Sequence, residues 1–554
     1  MPQFAPSTLA PASSRRTGRG RLTALRLGLA AGLALSAVVL PAVPAAAVQV
    51  TAFQQGLAGA AAEDAEIAEF YRARAYRPLW TGTEPADLAR RGALLAALSA
   101  AQVHGLPAAR HDPDRLIALM RGSADEADRG RVEVELSRAF LRLAADMETG
   151  ILTPRQVDPG MVRDVPHRSP REVLDAFAAA GDPGRFLRDL APRSPEYGRL
   201  LREKMRLERI IAGGGWGAPV PEGRIERGGR GAGVLALRDR LIAMGYLPRN
   251  AANAEYDAQM VQAVRAFQAD HGLQQDGVVG PATLSRLNMS PRDRLGLILV
   301  AMERERWLPR DRGRRHIWVN LTDFTTQVID DGAVTFETRA VIGKNADGRQ
   351  TPEFSDLMEY MVINPSWYVP RSIVVKEYLP KLQRDPNALS QMVITDRSGR
   401  PVNRAAGFGQ FTARTFPYAM RQPPSDDNAL GLVKFIFPNK YNIYLHDTPA
   451  KNLFQEDKRD YSHGCVRLND PFDFAYVLLA AQTDDPQGMF QSILRRGKER
   501  RVTLDTPVPV HLVYRTAVTK RTGGMEYRDD VYGRDARILA ALRQAGVALP
   551  GGDG

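Results

Sequence analysis

The 554-residue chain contains a single cysteine, Cys465. No intrachain disulfide can form, and one chain cannot supply the thiolates of a four-cysteine zinc site or an ordinary iron–sulfur cluster. Despite 48 Gly and 38 Pro there is no G-x-y period, which excludes collagen. No H-E-x-x-H pair occurs, so that zinc-protease signature is missing. No basic stripe interleaved with aromatics is present, so no nucleic-acid partner is expected. Past the N-terminal segment no apolar run approaches the roughly 20 residues that span a bilayer. The remainder, 44% hydrophobic and 25% charged, has the balance of globular proteins. Its length suits three or four domains of roughly 100–200 residues each.

The N-terminus reads as an export signal. Arg15, Arg16, Arg19, Arg21 and Arg26 form a basic region, Leu27 to Leu40 an apolar one, and Ala45-Ala46-Ala47 a small-residue cleavage site. We therefore assign 1–47 as a signal peptide directing the protein to the periplasm, with an uncleaved inner-membrane anchor as the alternative. The formal charge is +12, and losing a segment with five arginines and no acidic residue leaves +7. The processed form is expected to have no stable membrane span. In an oxidising compartment a lone thiol is buried and inert, paired between chains, or kept for chemistry.

Residues 48–228 read as a helical domain. Ile67, Phe70 and Tyr71 make one apolar stripe, Leu94, Leu95 and Leu98 another, and Phe140 to Met147 a third, closed by Gly150 and Pro154. His104, His111 and His167 are scattered and read as surface or core histidines. Glycine-rich stretches at 213–215 and 228–231 read as mobile linkers. Then come two amphipathic segments, Val234 to Met244 and Tyr256 to Gln268. A turn at Asp276-Gly277 follows, and Pro281 opens a third helix. The pattern Leu237, Leu241, Gly245-Tyr246, Phe267-Gln268, His271-Gly272-Leu273 and Asp276 to Thr283 closely resembles the peptidoglycan-binding domain type 1. We place that domain at 229–290, with His271 as a packing or capping residue. The resemblance implies glycan binding, or a spacer that has lost it.

A linker helix is expected at 291–312. From 313 the chain becomes β-rich: Ile317 to Leu321, then Thr325 to Ile329, with the hairpin signal Asp330-Asp331-Gly332 before Val334 to Thr338. The polar stretch 371–427, with a helical piece near Ile373 to Leu382, reads as an insertion and a candidate lid. The chain from 516 to 554 reads as a C-terminal tail with one amphipathic stretch, Ala536 to Leu542, and a frayed Gly/Asp end.

The chemistry gathers in Tyr444-Leu445-His446-Asp447 and Ser462-His463-Gly464-Cys465-Val466-Arg467. A thiol acts as a nucleophile once it is a thiolate, and positive neighbours favour that form. His446 and His463 are candidate bases, Arg467 adds charge, and Gly464 lets a backbone N–H approach an oxyanion. The two histidines could instead ligate a metal, but no third ligand is evident. For a papain-type protease the order is wrong, since the base should follow the cysteine far downstream.

His446, fifteen intervening residues, and Ser462-His463-Gly464-Cys465 resemble the L,D-transpeptidase (YkuD-type) catalytic signature. Ile363 to Pro370, Asn428 to Gly431 with Lys434-Phe435, and Phe70-Tyr71 with Tyr76 to Trp80 are similar to the large YcbB-type members. The resemblance implies an α+β multidomain protein: a helical N-terminal scaffold, a small three-helix binding domain, and a mostly-β catalytic domain at 313–515 with a helical capping insertion. It implies a cysteine acyltransferase with Cys465 as nucleophile, His446 as base, the Asp447 backbone carbonyl orienting that base, and Gly464 in the oxyanion hole. Ser462, His463, Arg467, Tyr444 and Trp367 would shape the substrate cleft. No metal or cofactor is implied. The partners would be peptidoglycan stem peptides and glycan; nothing in the sequence addresses oligomeric state. The reaction would be 3–3 crosslinking through a Cys465 thioester with loss of D-Ala. The alternatives are an L,D-carboxypeptidase, an enzyme attaching an envelope protein to the wall, and a non-catalytic wall-binding scaffold.

Overall fold

The computed structural model describes residues 50–249 and 254–550; the expected signal 1–47 lies outside them. The protein is α+β. Helices run from Ala52 to Ala212, and prolines open many of them, among them Pro85, Pro113, Pro170 and Pro195. Proline suits this first position because its missing N–H would be unpaired there anyway. The scaffold core is aromatic: Trp80, Phe140 and Phe177 pack with ring centres 4.5–5.5 Å apart. At its centre the buried Glu133 carboxylate accepts from the N–H groups of Leu79, Trp80 and Thr81 and from the Tyr71 hydroxyl. One side chain thus satisfies the backbone of a non-helical segment, Pro78 to Thr81, that would otherwise be buried unpaired.

Two sequence expectations change here. The expected linker helix is Pro291–Arg306, and twelve of its sixteen residues are buried. It is a central strut, sharing one apolar core with the scaffold and the C-terminal region. The expected C-terminal tail packs as a hairpin and the helix Arg534–Gln544, which contains the expected amphipathic stretch, with Ala517, Tyr527, Ile538 and Leu542 in that same core. Both stretches carry charges that read as solvent-facing, but these are neutralised inside the protein. Arg304 bonds Glu353 at 2.7 Å and Asp535 at 2.8 Å.

The three-helix module holds helices Ala232–Met244, Ala258–Asp270 and Pro281–Leu287. Gln268 organises its turn: Nε2 donates to Asp276 and the Val278 carbonyl, while Oε1 accepts from Gly277 N–H. Gly277 takes φ +74° there, a region glycine reaches without strain. His271 packs as expected, donating to the Phe267 carbonyl at 2.7 Å and stacking on the Phe267 ring. The first glycine stretch leads into a pinned segment, not a free linker: Trp216 and Val220 are buried, and Val220 exchanges two hydrogen bonds with Asn288.

The β-rich region is a closed sheet. Its strands are β1 Arg315–Asn320, β2 Thr325–Asp330, β3 Ala333–Gly343 and β4 Phe354–Ile363. After the short β5 Trp367–Tyr368, β6 Val393–Thr395 and β7 Ala419–Gln422 come β8 Val433–Ile436, β9 Leu445–His446, β10 Asp460–Ser462, β11 Val466–Leu468 and β12 Arg500–Val513. The order is β10-β3-β11-β9-β8-β4-β12-β1-β2, and β2 also pairs with β3, closing the ring. Hairpin β13 Ala517–Thr519 with β14 Met525–Tyr527 follows. The insertion carries strands β6 and β7, which join β5 as a three-stranded sheet. It has its own apolar core, including Ile373, Leu382, Phe408 and Phe416.

Candidate active site

Strand register places the candidate residues on one face of the closed sheet. β9 runs parallel to β11, with Leu445 opposite Val466 and His446 opposite Arg467. β8 runs antiparallel to β9, with Lys434 opposite His446 and Phe435 opposite Leu445. Side chains alternate along strands, so Phe435, Leu445, Val466 and Leu468 share the core face, and all four are buried. Lys434, His446 and Arg467 form a row on the other face, with Tyr444 and Cys465 two positions earlier in their segments. That face meets the insertion, since Tyr444 packs against the insertion's apolar cluster.

The imidazole is fixed by its own chain. His446 Nδ1–H donates to the Asp447 carbonyl; a carbonyl only accepts, so this assigns the proton to Nδ1 and leaves Nε2 as the basic atom. Asp447 is pinned in turn. Its N–H donates to the Val433 carbonyl at 2.9 Å, and its carboxylate accepts from Leu432 N–H at 2.9 Å and from Lys451 at 2.8 Å. Gly431, at φ +59°, lies against that carboxylate, where a Cβ would stand 2.3 Å from Asp447 Cγ. Burial, reinforced by Arg467 and Lys434, lowers the His446 imidazole to about 3, so it is neutral at physiological pH.

Cys465 ends a tight turn. Its thiol donates to the Asn442 carbonyl at 3.5 Å, and the Tyr444 hydroxyl and N–H face the sulfur. Among the described residues no hydrogen bond joins Cys465 to His446. Burial pushes the thiol up to about 11, against the pull of Tyr444, Arg467 and Lys434. Base and thiol are therefore both neutral. Ser462 Oγ donates to the Cys465 carbonyl and accepts from Gly464 N–H at 3.1 Å. At φ +117° the Gly464 amide turns back onto Ser462 Oγ. The Cys465 N–H has no partner among the described residues.

The remaining predicted residues separate into two groups. Arg467 comes to the site with a buried Nε that has no hydrogen-bond partner among the described residues. His463 instead turns to the insertion, where its Nε2 and Arg349 both meet Glu377 Oε1 at 2.8 Å. Glu377 lies on a π-helical turn, Val374–Tyr378. His446 and His463 therefore have different partners and do not converge as metal ligands. Trp367 is buried in the insertion's core beside Tyr378, while its neighbour Tyr368 is 68% exposed. Sequence reasoning missed Lys434 and Glu377 as site residues. For Lys434 the signal was the alternation Val433-Lys434-Phe435-Ile436; for Glu377, contributed by a distant insertion, there was none.

Residues 314–510 match the model of the L,D-transpeptidase catalytic domain. This chain carries an L,D-transpeptidase catalytic domain. Residues 65–203 match a scaffold domain, and 230–287 a domain provisionally described as peptidoglycan binding. A Haemophilus influenzae protein provisionally named an L,D-transpeptidase is 33% identical over 229 residues, covering 41% of this chain and 45% of that protein. An N-acetylmuramoyl-L-alanine amidase of Bacillus licheniformis is 45% identical over 60 residues, 11% of this chain and 17% of that one. The chain spans less than half the length of the curated relatives it matches. A solved L,D-transpeptidase from Xylanimonas cellulosilytica aligns at 19% identity over 54% of this chain and all of that one, with a TM-score of 0.16. The L,D-transpeptidase match stops inside β12, so the β13–β14 hairpin and the C-terminal helix lie outside it. Among the described residues no helix is long and apolar enough to cross a membrane.

Proposed function

We propose that the L,D-transpeptidase domain makes 3–3 crosslinks between peptidoglycan stem peptides through a thioester on Cys465, releasing D-Ala. The observation that carries this is the row on the sheet face: a neutral imidazole with Nδ1 held by the Asp447 carbonyl, beside the only thiol in the chain. The cation Arg467 flanks it with a buried Nε that has no hydrogen-bond partner among the described residues.

Cys465 exchanges its bond to Asn442 for one to His446 Nε2, which takes the thiol proton as sulfur attacks the carbonyl of the third stem residue. The oxyanion forms against the Cys465 N–H. The C–N bond breaks, and the departing D-Ala amine takes the proton from His446. An acceptor amine then gives a proton to His446, attacks the thioester and restores the thiol. Because both partners start neutral, proton transfer accompanies attack and no standing ion pair is needed. Arg467 and Lys434 supply positive charge for the carboxylates that stem peptides carry. The 229–290 module would hold the enzyme on the polymer, and the work would be done in the periplasm after export by residues 1–47.

The test is muropeptide analysis of wild type beside Cys465→Ala, with intact-mass spectra. Crosslinked dimers and a thioester adduct on wild type alone are expected. No adduct on wild type with a tetrapeptide stem or a carbapenem would sink the reading. Tripeptides without dimers would make it a carboxypeptidase, protein–muropeptide conjugates an attachment enzyme, and full complementation by Cys465→Ala a scaffold.

A further inference from the structure

The Gly464–Cys465 peptide is gripped from behind. The Gly464 carbonyl accepts from Thr351 Oγ1 at 2.7 Å, and that hydroxyl accepts in turn from Gly343 N–H at 2.9 Å. Since Gly343 can only donate, the Thr351 proton must point at Gly464. Thr351 is fully buried, and its own backbone is fastened by the C-terminal region. Its N–H donates to Tyr532 Oη at 3.3 Å, Tyr532 Oη donates to the Gly343 carbonyl, and Arg534 Nη2 donates to the Thr351 carbonyl at 3.1 Å. Arg534 is itself held by Glu353 at 3.1 Å.

A trans peptide is planar, with its C=O and N–H pointing in opposite directions. Holding the Gly464 carbonyl inward therefore turns the Cys465 N–H outward, and that N–H has no partner among the described residues. Gly464, at φ +117°, imposes little steric limit on rotation of this peptide, so its direction depends on the hydrogen bond at the carbonyl end.

We propose that Thr351, fastened by Tyr532 and Arg534, is a positioning residue that fixes the Cys465 N–H as the oxyanion donor. This rests on the transpeptidase reading above. It also gives the C-terminal segment, which lies outside the matched catalytic domain, a part in catalysis.

The experiment compares full-length wild type, Thr351→Val, Thr351→Ser and Tyr532→Phe. It measures kcat and KM for D-Ala release from a disaccharide tetrapeptide, alkylation of Cys465 by iodoacetamide, and the thermal transition. Alkylation occurs at a saturated carbon and develops no oxyanion, so it reports the thiol without the donor. Removing an oxyanion donor costs about 10²–10³ in kcat, and a misdirected donor should cost about 10–100-fold. Thr351→Val is expected to show that fall with KM and alkylation within about threefold of wild type, and Thr351→Ser to recover most of kcat. Tyr532→Phe, which keeps the ring, should fall between them. The proposal is overturned if kcat stays within about twofold of wild type in Thr351→Val, or if alkylation falls in step with kcat. Should Thr351→Val not fold, a folded Tyr532→Phe with unchanged kcat overturns it. A wild type that releases no D-Ala sinks the transpeptidase reading instead, which keeps the two failures distinct.

Discussion

Around Glu353 the buried charges meet in pairs; around Cys465 the half-buried cations Lys434 and Arg467 do not. Glu353 takes Arg304 on one oxygen and Arg534 on the other, and Arg304 also grips Asp535. Burial pulls Arg304 down, but Glu353 and Asp535 outweigh it and hold its guanidinium above the ordinary range. At the site, burial lowers both Arg467 and Lys434, and neither has a carboxylate within bonding distance. Lys434 reaches only the Ser366 carbonyl at 3.5 Å, with the Glu499 charge farther off. A buried charge that is paired holds architecture, and removing one partner strands the other. A half-buried charge left unpaired adds little to the fold and is retained where a ligand completes it.

The largest test of this contrast is Cys465→Ala. It should lower D-Ala release by roughly 10³-fold or more, the scale of losing a nucleophile, with a thermal transition close to wild type. Glu353→Gln should do the reverse. It removes the carboxylate that Arg304 and Arg534 share, leaving Arg304 with Asp535 alone and Arg534 with the more distant Asp158, and denaturant titration should show a loss of about 3 kcal/mol. A loss under about 1 kcal/mol would mean that this network is not what joins strut, sheet and C-terminal helix. Lys434→Met and Arg467→Met should each cut kcat/KM by about 10–100-fold, since a charge-assisted hydrogen bond is worth about 1.5–3 kcal/mol. Both variants should be as stable as wild type or more so. A clear loss of stability in either would erase the distinction between the two clusters.

What the sequence showed follows the same division. Cys465 and His446 were legible as a candidate pair because thiol and imidazole lie in one short stretch whose strands pair directly, and the hairpin at Asp331-Gly332 announced itself through residues that accept positive φ. The helical region, the binding module and the β-rich catalytic region were legible from periodicity and turn residues. Helix Pro291–Arg306 and the C-terminal region were misread because their arginines and acids look solvated. Only partners 49, 181 and 231 positions away make their burial tolerable. The same distance hid Thr351, whose contact with Gly464 spans 113 positions. The bond from the Gly464 amide to Ser462 was not legible, because a motif names the residue at a turn but not the direction in which its amide points.

The smallest expected effect concerns the charge state of the thiol. Burial raises Cys465 to about 11 and lowers His446 to about 3. Between pH 6 and 10, then, the free enzyme holds thiol and imidazole, not thiolate and imidazolium. Iodoacetamide consumes the thiolate, so the alkylation rate should rise about tenfold per pH unit over this window without an inflection near neutrality. An ion pair formed below pH 6 would instead give a rate that is already flat. Arg467 and Lys434 favour the thiolate, so Arg467→Met raises the thiol further. Its rate at pH 9 should therefore fall, by less than about tenfold, because one partly screened charge among several contributes less than a full pKa unit. A rate that rises on removing Arg467 would show that this cation does not act on the thiol, and that the row on the sheet face is packing, not chemistry.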